Sequence, residues 1–398
     1  MKKIIIVSHW MEIGGAERSL LGILENIDYK KYSVDLFLCR HSGELMKYIP
    51  KEVNLLDEDT KAKDVAMPIG TVIKNKNYDI VFGRVISKVM TKLYNVTHAN
   101  NDINNIEIEY SNKFTYKYIK NIRPDIEYDM AISFLEPHYI VPYKVNARKK
   151  VAWMHTDYSS ISTDVKEGYK IWGKYDSIIA ISQDCKDRFV DKYPKLKNKV
   201  IIIENILSKS IIIKQSNEPI DEIDYSKNNI VLLSIGRFCE AKNFENIPKI
   251  SKILTEKGIN FKWYIIGYGS YESKIREEIH KAKMEDHVII LGKKINPYPY
   301  IKKCYIYVQP SRYEGKSITV REAQTLNKPV IITKYPTANS QVINNFDGII
   351  CDMDNESCAN AIENLINDKV LRDSLIENTR VNNYTTEKDI DKIYQLML

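Results

Sequence analysis

Apolar residues along this chain fall into short unbroken runs separated by amphipathic stretches, and the rhythm occurs twice. Ile4-Ile5-Ile6-Val7 opens the first series. An unbroken run of that length is what a strand buried on both faces requires. It ends at Ser8-His9-Trp10, and after a loop Gly14-Gly15-Ala16-Glu17 opens an amphipathic helix to about residue 27. Further runs lie at 34–39, 79–85, 130–135, 151–154, 177–181 and 200–203, with helix-like segments between them. Strands alternating with helices predict a parallel sheet covered on both faces.

From 208 to 229 the pattern dissolves into polar, charged and proline-containing sequence, the expected linker. A second series starts at Ile230-Val231-Leu232-Leu233 and continues at 263–266, 288–291, 305–308, 330–333 and 348–351. A length of 398 residues exceeds what one core usually sustains. The expected fold class is therefore α/β, with two Rossmann-like domains whose parallel sheets face across a cleft. Residues 1–207 would form the first domain and 208–380 the second. The tail 381–398 is expected to be helical and to pack back on the first domain.

Composition changes this picture little. Hydrophobic residues at 44% and charged residues at 28% are ordinary for a soluble protein. The net charge of +7 favours acidic ligands or an anionic surface without indicating nucleic acid. Six cysteines show neither a C-x-x-C pair nor metal-ligand spacing, which points to a reducing cytoplasm. No run is long enough to span a bilayer. One segment suggests peripheral contact with an anionic membrane. Between 112 and 122, Phe114, Tyr118 and Ile122 recur every four residues beside Lys113, Lys117 and Lys120. An ordinary solvated helix face explains the same pattern.

Candidate chemistry gathers at strand ends, where α/β sheets bind ligands. The fullest stretch is Ser311-Arg312-Tyr313-Glu314-Gly315-Lys316-Ser317-Ile318-Thr319-Val320-Arg321-Glu322. Glycine allows close backbone approach, and free N–H groups at a helix start attract phosphate oxygens. Glu314 and Glu322 could accept hydroxyl hydrogens from a sugar and a ribose. Thr319-x-x-Glu322 also reads as a capping box, which needs no ligand.

Gly236-Arg237 and Lys242 offer two cations for phosphate, or two solvated surface charges. Gly267-Tyr268-Gly269-Ser270 is another glycine-rich strand end, with Ser270 as an alternative N-cap. His155 closes a strand of the first domain, and Asp157 could orient it or cap the next segment. Asp352-Met353-Asp354 has the look of a metal motif. A turn with capping carboxylates explains it better, so no metal is assigned.

Taken together, these stretches resemble the retaining, GT-B-type family-4 glycosyltransferases over nearly the whole chain, most strongly from 230 to 367. The most specific element is the E-x7-E pair of Glu314 and Glu322. The resemblance implies a nucleotide-diphosphate-sugar donor, expected to be a UDP-sugar, held by the second domain. It implies a glycan, glycolipid or cell-surface polysaccharide as acceptor. Arg237 and Lys242 would neutralise the leaving diphosphate, and Glu314 would bind the transferred sugar. His155 would contact the donor sugar or reacting centre. Gly15, Gly236, Gly267, Gly269, Gly315, Lys316, Ser317, Ile318 and Glu322 would line the donor site. The family needs no bound metal or cofactor, and its retaining outcome implies same-face attack assisted by the leaving phosphate. Lys316 and Ser317 stand where many members carry bulkier apolar residues or glycine, which leaves the donor sugar open. A nucleotide-sugar epimerase and a non-catalytic sugar-nucleotide-binding protein remain alternatives.

Overall fold

The computed structural model describes residues 1–98, 103–155, 158, 161–223 and 230–398, without the side chains of 103–105. Asp157 and the last part of the 208–229 linker lie outside the described residues. The chain divides into two compact units, Met1–Ile206 with Thr386–Leu398, and Leu207–Thr385.

The first unit holds β1 (Lys2–Ser8), β2 (Tyr32–Leu38), β3 (Asn54–Leu55), β4 (Tyr128–Ser133), β5 (Ala147–Met154), β6 (Ser177–Ala180) and β7 (Val200–Ile202). They pair in the order β3-β2-β1-β4-β5-β6-β7, parallel throughout. The second unit holds β8 (Ile230–Ile235), β9 (Phe261–Ile266), β10 (Val288–Gly292), β11 (Ile306–Gln309), β12 (Val330–Thr333) and β13 (Ile349–Cys351). Their order is β10-β9-β8-β11-β12-β13, again parallel. Both are Rossmann-like sheets. Central strands such as β1 and β8 are buried on both faces, which is why their sequences run apolar without alternation.

In each sheet the strand order reverses direction once, between β1 and β4 and between β8 and β11. The chain leaves the two strands on opposite sides there, and their C-terminal turns open towards each other. Leu232 and Leu233 of β8 pair in register with Ile306 and Tyr307 of β11. That register brings the turn beginning at Gly236 beside the turn beginning at Pro310.

The C-terminal segment returns to the first unit. Tyr394, in the helix Ile390–Gln395, stacks on Tyr32 at 4.2 Å, and its hydroxyl accepts from the Asp28 N–H at 2.9 Å.

Four local expectations fail for identifiable reasons. The apolar run at 79–85 is not a strand but the start of the helix Tyr78–His98. Its buried positions, Ile80, Gly83, Ser87 and Thr91, recur every three or four residues, a helical period that a short window hides. The 208–229 stretch contains the helix Lys209–Gln215, because Ile212 and Ile223 are buried in the second unit's core. The helix expected over 112–122 ends at Thr115, and Ile119 and Ile122 turn inward. It therefore presents no continuous face to a membrane. Ser270 does not cap the next helix, which starts at Glu272 after Tyr271. The two-residue strand β3 has too little pattern to be read from sequence. Among the described residues no helix is long and apolar enough to cross a membrane.

Asp354 accepts the Ser357 N–H at 2.7 Å and caps the helix Asn355–Asn367. Asp354→Ala should lower the midpoint of urea denaturation, whereas Asp354→Asn, which still caps, should not.

Candidate active site

The turns after β8 and β11 are stitched together by side chains. Asn243, in the left-handed conformation at φ 60°, donates its amide to the Pro310 carbonyl at 2.9 Å. The Arg312 N–H donates to the Ala241 carbonyl at 2.8 Å. The Arg312 guanidinium reaches the Glu240 carbonyl at 2.6 Å and the Glu245 carboxylate at 2.8 Å. Arg312 is thereby committed to holding the turns, while Arg237 is exposed at the end of β8 and forms no ion pair among the described residues.

Lys242 and Glu314 meet at the centre of this junction. The ammonium lies 2.6 Å from Glu314 Oε1 and 2.7 Å from Oε2, with both side chains largely buried. Oε1 also accepts from the Ser311 hydroxyl at 2.6 Å and the Gln309 amide at 3.2 Å. A carboxylate offers about four lone-pair sites. Oε1 is therefore crowded, and Oε2 keeps room for a hydroxyl donor. Tyr307 extends the network, donating to Gln309 Oε1 and reaching Thr319 Oγ1, each at 2.7 Å. Gln309 was missed in the sequence, and Ser311, which opens the candidate stretch, was given no role of its own. The signal for Gln309 is a polar side chain at the fully buried end of an apolar strand, with Ser311 buried in the turn just beyond it.

The glycines divide by what surrounds them. A Cβ on Gly267 would lie 1.9 Å from the Gly236 carbonyl oxygen, and one on Gly269 would lie 2.3 Å from that of Phe238. These two glycines let the turn after β9 press against the turn after β8. A Cβ on Gly236 would touch the Lys242 stem at 3.2 Å, so this glycine makes room for the lysine. Gly315 has nothing within 4 Å of its Cβ position, and packing gives no reason for it.

Beyond Gly315, Lys316 is half-buried and Ile318 begins the helix Ile318–Thr325. The Ser317 N–H donates to Gln341 Oε1 at 3.1 Å, so this donor is engaged within the protein. Ser317 is the N-cap residue, which puts Thr319 inside the helix and the expected capping box out of register. Glu322 is fully buried, and its Oε1 accepts from Tyr298 at 2.9 Å.

Gly15 and His155 belong to the first unit. Gly15 opens the helix Gly15–Asn26. The Glu17 carboxylate packs against Gly14 there, where the helix dipole favours an anion. His155 follows β5, with its ring 4.6 Å from that of Phe134. Burial, with the nearby His138 ring, pulls its pKa down to about 3. Its Nε2 is buried and has no hydrogen-bond partner among the described residues.

His138 lies in the turn after β4, at the reversal of the first sheet. Burial lowers its pKa to about 4, and its Nδ1 lies 2.8 Å from Ser133 Oγ. Glu109, pushed up to about 8 by burial, and Glu136, raised by burial, lie in the same unit. None of these three had a sequence signal, because burial rather than a motif makes them unusual.

Gly267→Ala should lose about 1–3 kcal/mol of stability through overpacking, while Gly315→Ala should melt like the parent chain. The His155 C2–H proton resonance should hold its neutral position from pH 8 down to about 4. An imidazole whose folded pKa lies below its ordinary 6.5 contributes stability above that pH and loses it as pH falls towards 3.

Residues 216–382 match the family described as Glycosyl transferases group 1. An uncharacterized glycosyltransferase of Methanocaldococcus jannaschii is 31% identical over 252 residues, covering 58% of this chain and 61% of that protein. The Escherichia coli UDP-Gal:alpha-D-GlcNAc-diphosphoundecaprenol alpha-1,3-galactosyltransferase is 20% identical over 97% of this chain and 94% of its own. The match to the first of these relatives thus spans about three fifths of its length. A crystal structure of Staphylococcus aureus TarM, a mutant in complex with fondaparinux, alpha-GlcNAc-glycerol and UDP, superposes with a TM-score of 0.68. It is 15% identical and covers 100% of both chains. That likeness carries the GT-B fold of two Rossmann-like domains. With the family match over residues 216–382, it makes the second unit similar to the group 1 glycosyltransferases.

Proposed function

We propose that the protein transfers a sugar, with retention, from a nucleotide-diphosphate sugar to a glycan, a glycolipid or a cell-surface polysaccharide. The donor in this reading is a UDP-sugar. The observation that carries it is the Lys242–Glu314 pair, which puts a fixed ammonium and a carboxylate with a spare lone pair at one strand-end junction. A nucleotide sugar presents the complement, a diphosphate bonded directly to a hydroxyl-rich ring. The activity named for the Escherichia coli relative and the UDP in the TarM complex support the choice of uridine.

Charge separates as the bond between sugar and phosphate breaks. The diphosphate gains negative charge, and Arg237 and Lys242 stand on the turn that would receive it. Preorganised charges of this kind usually supply the largest catalytic contribution. The helix starting at Ile318 adds its N-terminal dipole, and Gly315 leaves its backbone open to close approach. Glu314 accepts a sugar hydroxyl at Oε2, held in place by Ser311 and Gln309. Glu322, anchored by Tyr298, serves the ribose. This reading gives the leaving charge to protein cations and assigns no metal. Within the first unit, this reading keeps Gly15 as a diphosphate contact and His155, neutral at working pH, as a hydrogen-bonding group for the sugar, the roles that the family resemblance implies for them. Free thiols at all six cysteines support a reducing compartment such as the cytoplasm.

Melting curves with UDP-, GDP- and ADP-sugars test the donor, since a ligand of the native state must raise the melting temperature. UDP-sugars should raise it, and a chain that no nucleotide sugar stabilises would refute the reading. Glu314→Gln should lower the transfer rate about 100-fold while UDP affinity stays close to that of the parent. Arg237→Ala should weaken both, read by initial rates and UDP calorimetry. Parent-level transfer by Glu314→Gln would remove the sugar contact.

A further inference from the structure

The helix Tyr78–His98 in the first unit is amphipathic in the reverse sense. It buries Ile80, Gly83, Ser87 and Thr91, mostly small or polar residues. Ser87 and Thr91 satisfy their hydroxyls on carbonyls of their own helix, at 2.8 Å each. Gly83 allows the helix to lie close against the helix Ile103–Thr115, since a Cβ there would sit 2.8 Å from the Phe114 carbonyl oxygen. The inward face thus favours close backbone packing and contributes little apolar area.

The outward face carries the apolar side chains. Phe82, Val85, Val89, Leu93 and Val96 are 58%, 49%, 53%, 55% and 83% exposed, and Tyr78 is 63% exposed. Their spacing of three and four residues makes one stripe. At 1.5 Å per residue it runs for about 27 Å. A single exposed leucine needs no explanation, but a continuous apolar stripe marks an interaction surface.

Charge decides between partners. Lys88 and Lys92 follow Val85 at the third and seventh positions and border the stripe, both exposed. The only carboxylate on the helix, Asp79, is already paired with Lys61. Arg84 donates to the Met67 carbonyl. Lys74 and Lys76, just upstream, are exposed as well. A second copy docking through the same stripe would bring lysine rows towards each other, with the one carboxylate on each helix already paired to Lys61. An anionic headgroup layer supplies the missing charge, and lysine stems can reach it while the apolar stripe sinks between acyl chains.

We propose that the Tyr78–His98 helix is the membrane-docking element of this protein, lying in the plane of an anionic lipid surface with Phe82, Val85, Val89, Leu93 and Val96 immersed. This site is distinct from the 112–122 segment, and it depends on no part of the donor reading.

The test is co-sedimentation of the full chain with vesicles of phosphatidylcholine, alone or mixed with phosphatidylglycerol. The parent chain should sediment with the mixed vesicles, less so as salt is raised. A Val89→Asp/Leu93→Asp variant should bind at least about tenfold more weakly. A Lys88→Glu/Lys92→Glu variant should lose the preference for phosphatidylglycerol. All these positions are exposed, so melting temperature and its shift by UDP-sugar should be unchanged in both variants, separating a docking failure from a failure of the donor reading. Absence of parent binding to the mixed vesicles, or parent-level binding by Val89→Asp/Leu93→Asp, would overturn the proposal. So would a dimer in analytical ultracentrifugation that this variant dissolves, which would assign the stripe to a second copy.

Discussion

The ion pair between Lys242 and Glu314 joins residues 72 positions apart, and the surrounding turns are arranged to permit it. Two charges removed from water are costly unless their remaining hydrogen-bond capacity is used. Here Ser311 and Gln309 use part of the carboxylate, and Tyr307 fixes Gln309 from the strand below. Loss of one partner would leave the other charge desolvated, so the pair holds both turns in place. The β8–β11 register, the glycine at 236 and the Asn243 link to Pro310 all serve the same alignment.

The pair also links the two roles the junction is proposed to play. An ammonium tied to the carboxylate that contacts the sugar cannot move independently of it, so diphosphate and sugar would be positioned relative to each other. The glycines nearby support this without all touching ligand. Gly267 and Gly269 bring a third turn in close, whereas Gly315 leaves open space. Residues of one type in similar motifs can therefore serve packing in one turn and leave access in another.

The first unit uses burial differently. Its unusual groups are imidazoles kept neutral and carboxylates pushed towards protonation, arising from low polarity more than from close ion pairing. On its surface the reversed helix separates two functions that most helices combine. Small residues on one face provide the packing, and apolar ones on the other remain available.

Much of the architecture was legible because a strand buried on both faces must be apolar at every position, and such runs stand out in any window. Glycine-rich strand ends and the spacing of Glu314 and Glu322 were legible for a similar reason, since they are local. The run at 79–85 was misread because a short apolar-rich run fits strand and helix equally, and only burial of every third or fourth position separates them. Glycine alone could not tell packing from access at 267 and 315, because the deciding atoms belong to other turns. Gln309, Glu109, Glu136 and His138 carry no motif. Backbone geometry and local patterning were enough to place most of the strands and the strand ends that can carry chemistry, but not the helices at 78–98 and 209–215. The tertiary structure alone decided which charge meets which, because partners distant in the chain become neighbours only when the sheet order reverses between β8 and β11.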